Sequence, residues 1–115
     1  MADRRGAEPD AQTPAGGVSS TVADMAQWMR LQLGNGTVDG VEVVDGAALD
    51  RTHTPHGLSG RPGSPESRIG SYGLGFNFNL GTNGGGRQRW SHSGAFALGA
   101  GTSVTMIPAE RLGVV

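Results

Sequence analysis

Residues 21–36, TVADMAQWMRLQLGNG, impose the strongest constraint on how this chain can fold. Thr21 and Asp24 have the T-x-x-D spacing of a helix capping box, with Ser20 as an alternative cap. Val22, Met25, Ala26, Met29 and Leu33 then recur at i, i+3, i+4, i+7 and i+11, which makes one stripe of the helix apolar. Trp28 flanks that stripe, while Gln27, Arg30 and Gln32 fall outside it. Gly34-Asn35-Gly36 offers a left-handed exit. A helix stopped at both ends, with a single apolar stripe, needs another layer to cover it.

That layer is expected from the β-rich sequence downstream. Val38 to Val44 carries the turn dipeptide Asp39-Gly40 between β-formers and reads as a small hairpin. Asp45 can cap a short helix from Gly46 to about Thr52, which must stop before Pro55. Residues 57–71, GLSGRPGSPESRIGS, show no apolar pattern and are expected to form a loop. Tyr72 to Leu80 alternates, placing Leu74, Phe76, Phe78 and Leu80 on one face of a single strand. Asn83-Gly84 supplies a hairpin connection, and Arg87 to about Phe96 is the returning strand. Thr102 to Ile107 is a further strand, Pro108-Ala109-Glu110 a turn, and Leu112 to Val115 the start of the next. The fold class is therefore α/β in the α+β sense: an antiparallel sheet with packed helices. Residues 1–17 form an extended or disordered lead-in, and residues 18–115 a partial domain whose last strand breaks off within an apolar run. A sheet left uncovered on one side is expected to self-associate.

Composition narrows the partners. Nine basic against ten acidic residues give a net charge of −1, which removes the electrostatic case for nucleic acid or an anionic membrane. No run reaches the length of about 18 apolar residues that a membrane span needs. The opening MADRRGAEPDAQTPAGG lacks the apolar core of a secretion signal, so no compartment is marked. Cysteine is absent, which excludes disulfides, thiolate metal sites and a cysteine nucleophile. Every basic residue is arginine, so no lysine base can come from this chain. Glycine and proline together supply 27 of 115 residues, near the compositional edge of disorder at roughly 25–30%. The glycines crowd residues 57–101 among apolar and aromatic residues, which points to tight strand connections instead.

The chemistry-bearing stretch is WSHSGAF, residues 90–96. No G-x-S-x-G elbow surrounds Ser91 or Ser93. Adjacent strand residues face opposite ways, so His92 is badly placed to act as base for either serine. No carboxylate nearby in sequence orients the histidine. Elsewhere, His53 and His56 form an H-x-x-H pair interrupted by Pro55, which reads as surface histidines before it reads as a metal site. Asn35-Gly36-Thr37 matches a glycosylation acceptor but also serves as the helix stop. The Gly-x-Gly pairs at Gly73/Gly75 and Gly99/Gly101 do not complete a dinucleotide fingerprint, and no cofactor or metal is implied.

The order PAGGVSSTVADMAQWMRLQLGNG, THTP, YGLGF, WSHSGAF and TSVTMIPAERLGVV resembles the C-terminal part of the serine β-lactamase and penicillin-binding-protein-like hydrolases. It is most similar to the class C-like branch of esterases, D-amino-acid peptidases and related proteins, over residues 14–115. The resemblance implies hydrolysis of an ester, amide or β-lactam through an acyl-enzyme. It aligns His92-Ser93-Gly94 with the family's third motif, K-T-G or H-x-G, on the strand lining the site. In that role Gly94 gives the substrate clearance, the Ala95 amide is one oxyanion-hole donor, and His92 is a polar guide. The family's S-x-x-K is impossible without lysine, and the only tyrosine, Tyr72, lies in Y-G-L-G and not in Y-x-N. The nucleophile is expected upstream, which makes this chain a fragment that is inactive alone. A contrasting expectation is a non-catalytic β-rich module that recruits a partner through an exposed strand edge.

Overall fold

The computed structural model describes residues 13–61, 63–65, 69–80, 86–95 and 101–115. The expected turn at Asn83-Gly84, the far end of the returning strand at Phe96, and residues 1–12 of the lead-in lie outside the described residues. The lead-in's end forms a single helical turn, α1 (Thr13–Gly16).

Helix α2 (Val22–Leu33) starts and stops where its sequence dictates. The Thr21 hydroxyl oxygen accepts from the Asp24 N–H at 3.1 Å and donates to the Asp24 carboxylate at 2.8 Å. One orphan donor of the first turn is thereby satisfied, and a negative charge sits at the positive end of the helix. At the other end Gly34 and Gly36 donate to the carbonyls of Arg30 and Leu31, with Asn35 and Gly36 at φ of 47° and 88°. A side chain on Gly36 would also meet the Val44 carbonyl oxygen at 2.0 Å. Strands β1 (Thr37–Val38) and β2 (Val41–Glu42) make the expected hairpin through Asp39-Gly40, both at positive φ. Helix α3 (Gly46–Thr52) begins at Asp45, whose carboxylate accepts from the Ala47 N–H at 2.9 Å.

The main sheet has six antiparallel strands in chain order: β3 (Gly57–Ser59), β4 (Gly70–Tyr72), β5 (Asn77–Leu80), β6 (Gln88–Ala95), β7 (Gly101–Ile107) and β8 (Leu112–Val114). Pro108–Glu110 is a 3₁₀ turn between the last two. The fold is α+β, helices with antiparallel sheets. One face of the sheet meets α2, and the buried core is Met29, Phe76, Phe78, Val104 and Met106. Met25, Ala26, Trp28, Leu33 and Trp90 pack around it half-buried.

Several expectations change, beginning with the helical turn α1 in the lead-in expected to be extended or disordered. The loop over residues 57–71 is flanked by paired strands, Gly57–Ser59 against Gly70–Tyr72, which form the outer edge of the sheet. Tyr72 to Leu80 is not one strand. The Gly73 N–H donates to the Phe76 carbonyl at 2.9 Å, Gly75 takes φ of 98°, and the chain reverses between β4 and β5. Phe76 and Phe78 stay in the core, whereas Leu74 and Leu80 are exposed. The two glycines permit the turn, and period-two alternation continues only after it. Finally, Gln32 lies outside the predicted stripe yet is buried, because its Oε1 accepts from His53 Nε2 at 2.8 Å. Val22, placed on the stripe, is exposed.

His53 ends α3 and lies flat on Trp90, with ring centroids 3.9 Å apart and planes at 22°. Burial pushes its imidazole below the ordinary 6.5, against a smaller upward pull from Asp50. The unfolded chain therefore takes up this proton more readily than the folded one. Stability is held above pH 6.5 and falls as the pH drops below it toward the folded-state value. Urea midpoints measured from about pH 7.5 down to about pH 5.5 should fall more steeply for the wild type than for His53→Gln. Equal slopes would remove His53 as the responsible group.

Gly73 is held by close approach. An added Cβ would lie 2.6 Å from both Phe78 Cε2 and the Thr54 carbonyl oxygen. Gly73→Ala should cost about 1–3 kcal/mol in urea unfolding. Gly94, whose Cβ would meet nothing within 4 Å, should tolerate alanine to within about 0.5 kcal/mol.

Candidate functional site

Strand β6 carries two kinds of residue on its two faces, and its far end extends past a neighbouring strand. Trp90 sits opposite Met106 and packs with the core, so the even positions of β6 face α2. His92 is opposite Val104 and Gly94 opposite Thr102, which places both on that face beyond the end of the core. Ser91, Ser93 and Ala95 turn to the other face. The predicted separation of His92 from its flanking serines follows from this alternation, and no Ser-His pair forms along the strand.

The main chain is arranged as informatively as the side chains. Pairing between β5 and β6 ends at Asn77 with Ser91. Asn77 Nδ2 donates to the Ser91 carbonyl at 3.4 Å, so the Ser91 carbonyl points toward β5. In an antiparallel ladder each residue directs its N–H and C=O to one side, alternating along the strand. The polar groups of Ser93 and Ala95 therefore point the same way as those of Ser91. There the chain has already reversed through Gly73–Phe76, and among the described residues no strand pairs with residues 92–95 on that side. His92, Ser93, Gly94 and Ala95 are all exposed.

Beside this free edge lies a groove of about 690 Å³, bounded by the start of α2, the Leu74–Phe76 turn and the ends of β6 and β7. His92, Ser93 and Gly94 line one end of it. The PAGG–S-T segment forms the opposite wall through Pro14, Val18 and Ser20. The structure thus brings His92, Ser93 and Gly94 to one cavity and places the Ala95 amide on the adjoining open edge.

Two contributors escaped the sequence reading. Tyr72 brings its ring within 6.3 Å of the His92 ring, tilted by 54°. The signal was its place two residues before the Leu74 turn, which becomes legible only when β4 and β5 are recognised as separate strands. Trp28, read as a flank of the apolar stripe, reaches the groove as well as the core. His53 and His56, by contrast, have local roles. His53 Nε2 is bonded to Gln32, and His56 Nε2 donates to the Arg51 carbonyl at 3.0 Å. Among the described residues no three histidine, aspartate or glutamate side chains gather as a metal site would require.

Helices packed on an antiparallel sheet agree with the comparison against known families. The family model described as Beta-lactamase matches residues 1–115. No match was found among curated proteins, and none among solved structures. The chain belongs to the beta-lactamase family.

Proposed function

We propose that this chain supplies the third-motif wall of a serine-hydrolase site that cleaves an ester, amide or β-lactam through an acyl-enzyme. The observation that carries the reading is the edge of β6 beyond Ser91, which no strand among the described residues pairs on the β5 side and toward which strand alternation turns the Ala95 amide. As a carbonyl is attacked, its oxygen gains negative charge, and a fixed N–H aimed at that oxygen stabilises the transition state more than the ground state. Gly94 leaves room for a substrate beside the strand, because nothing among the described residues lies within 4 Å of its Cβ position. His92 adds a hydrogen-bonding ring at the lip of the groove.

The nucleophile is assigned to a segment bearing S-x-x-K, which this lysine-free sequence does not contain. Its serine oxygen would form the acyl bond as the alcohol or amine departs, and water would then release the acid. The chain alone is read as inactive, because an oxyanion donor without a nucleophile has no charge to stabilise.

The reading meets its test in two experiments. Incubated with a chromogenic β-lactam, a p-nitrophenyl ester and a fluorophosphonate probe, the chain alone should give no turnover and no labelled serine; labelling of Ser91 or Ser93 would overturn this mechanism. When the wall is joined to the reading frame that precedes it, S-x-x-K and Y-x-N should be found there, and hydrolysis should appear. In that protein Ala95→Pro should lower kcat on the order of 10²–10³ while Ala95→Gly does not, since only proline removes the N–H.

A further inference from the structure

We infer that the groove beside His92 takes the uncharged, apolar acyl or aryl part of an ester or amide and disfavours a ligand that carries a carboxylate. This rests on the hydrolase reading above and names the substrate class of the same site. At about 690 Å³ the groove falls in the range of roughly 300–1,000 Å³ typical of small-molecule sites and is too small for a folded partner. Its walls are Val22 and Trp28 of α2, Leu74 and Phe76 of the turn, and Val104 of β7. Polar side chains gather at one end, where His92 of β6 and Thr102 of β7 share the α2-facing side of the sheet. No Asp, Glu or Arg side chain is among the described residues lining it. Among the described residues lining the groove, a ligand carboxylate would lose water without meeting an arginine, and unpaired ions are costly to desolvate.

The start of α2 does not supply the missing positive charge. Its Thr21 oxygen already takes the Asp24 N–H, and the Asp24 carboxylate in the first turn offsets the positive end of the helix. A molecule with one polar, reactive end and an otherwise apolar body matches this distribution. The polar end lies toward the edge of β6 and the apolar body against Trp28 and Leu74.

The test uses the chain as it exists and reads binding instead of turnover. Tryptophan fluorescence is titrated with butyranilide and hexanoanilide, and with benzylpenicillin against its methyl ester, which lacks the carboxylate charge and adds one methyl group. Saturable quenching is expected, with affinity rising about fourfold for each added methylene. The methyl ester should bind at least about tenfold more tightly than the free acid. Trp28→Phe should remove most of the response while Trp90 remains fluorescent. Gly94→Val would project into the groove without clashing, since nothing lies within 4 Å of its Cβ. It should abolish binding and leave the melting temperature unchanged. Equal affinity for acid and ester, no dependence on chain length, or undiminished binding by a folded Gly94→Val would each overturn the assignment. Failure of the hydrolase reading shows elsewhere: a preceding reading frame without S-x-x-K sinks that reading, whatever the anilides do.

Discussion

The candidate site depends on β5 beginning at Asn77, too late to accompany the full length of β6. The reversal at Gly73–Phe76 is responsible. It folds the chain back before β5 can run alongside residues 92–95, and among the described residues no strand pairs with Ser93 and Ala95 on that side. The turn is held by the Gly73–Phe76 hydrogen bond and by Phe78, whose ring fills the space where Gly73 would carry a side chain. A longer β5 would satisfy those groups internally and close the edge. The same turn carries Leu74 outward to the groove while holding Phe76 in the core. One short reversal thus creates both the edge and one wall beside it.

Rigidity beneath that edge comes from Trp90, two residues before His92. Its ring packs with Phe78 edge-on at 6.4 Å, with Phe76 at 6.3 Å, and under His53 in a close stack. His53 is tied through Gln32 to α2, so α2, α3 and β6 meet around one indole. Aromatic pairs of this kind contribute about 0.5–1.5 kcal/mol each beyond burial. The indole Nε1 is buried without a partner among the described residues, a cost of about 1–3 kcal/mol that the surrounding ring contacts must offset. Keeping His53 neutral is part of the same arrangement, because a charged imidazole here would lose its hydration against aromatic faces.

Much of the fold was legible because it is governed by local rules. The Thr21–Asp24 cap, the glycine exit of α2, the Asp39-Gly40 hairpin and the Asp45 cap each depend on neighbours within about four residues. The failures were of another kind. Alternation in YGLGFNFNL fits a strand equally well whether or not the glycines turn, and only pairing with Ser71 and Tyr72 decides. Gln32 looks solvent-facing on a helical wheel because the wheel does not know where α3 will dock. For the candidate site, the alternation that separates His92 from Ser91 and Ser93 is visible in the sequence. The open edge is not, since it is set by the relative lengths of two strands.

Charge gives the site a coherence that no single residue does. A lysine in the third motif would place a permanent cation at the end of the groove, and a carboxylate-bearing substrate would be drawn to it. In the proposed assignment that position is His92, which sits exposed at the lip with the Tyr72 ring beside it. The groove leading from it is walled by valine, leucine, phenylalanine and tryptophan. What polarity remains comes from hydroxyls and from main-chain N–H groups, which orient a neutral carbonyl without attracting an ion from a distance. Replacing the lysine and removing ionised side chains from the groove act in the same direction. On the proposed reading both would lower the affinity for anions while leaving the Ala95 N–H for charge that develops during reaction.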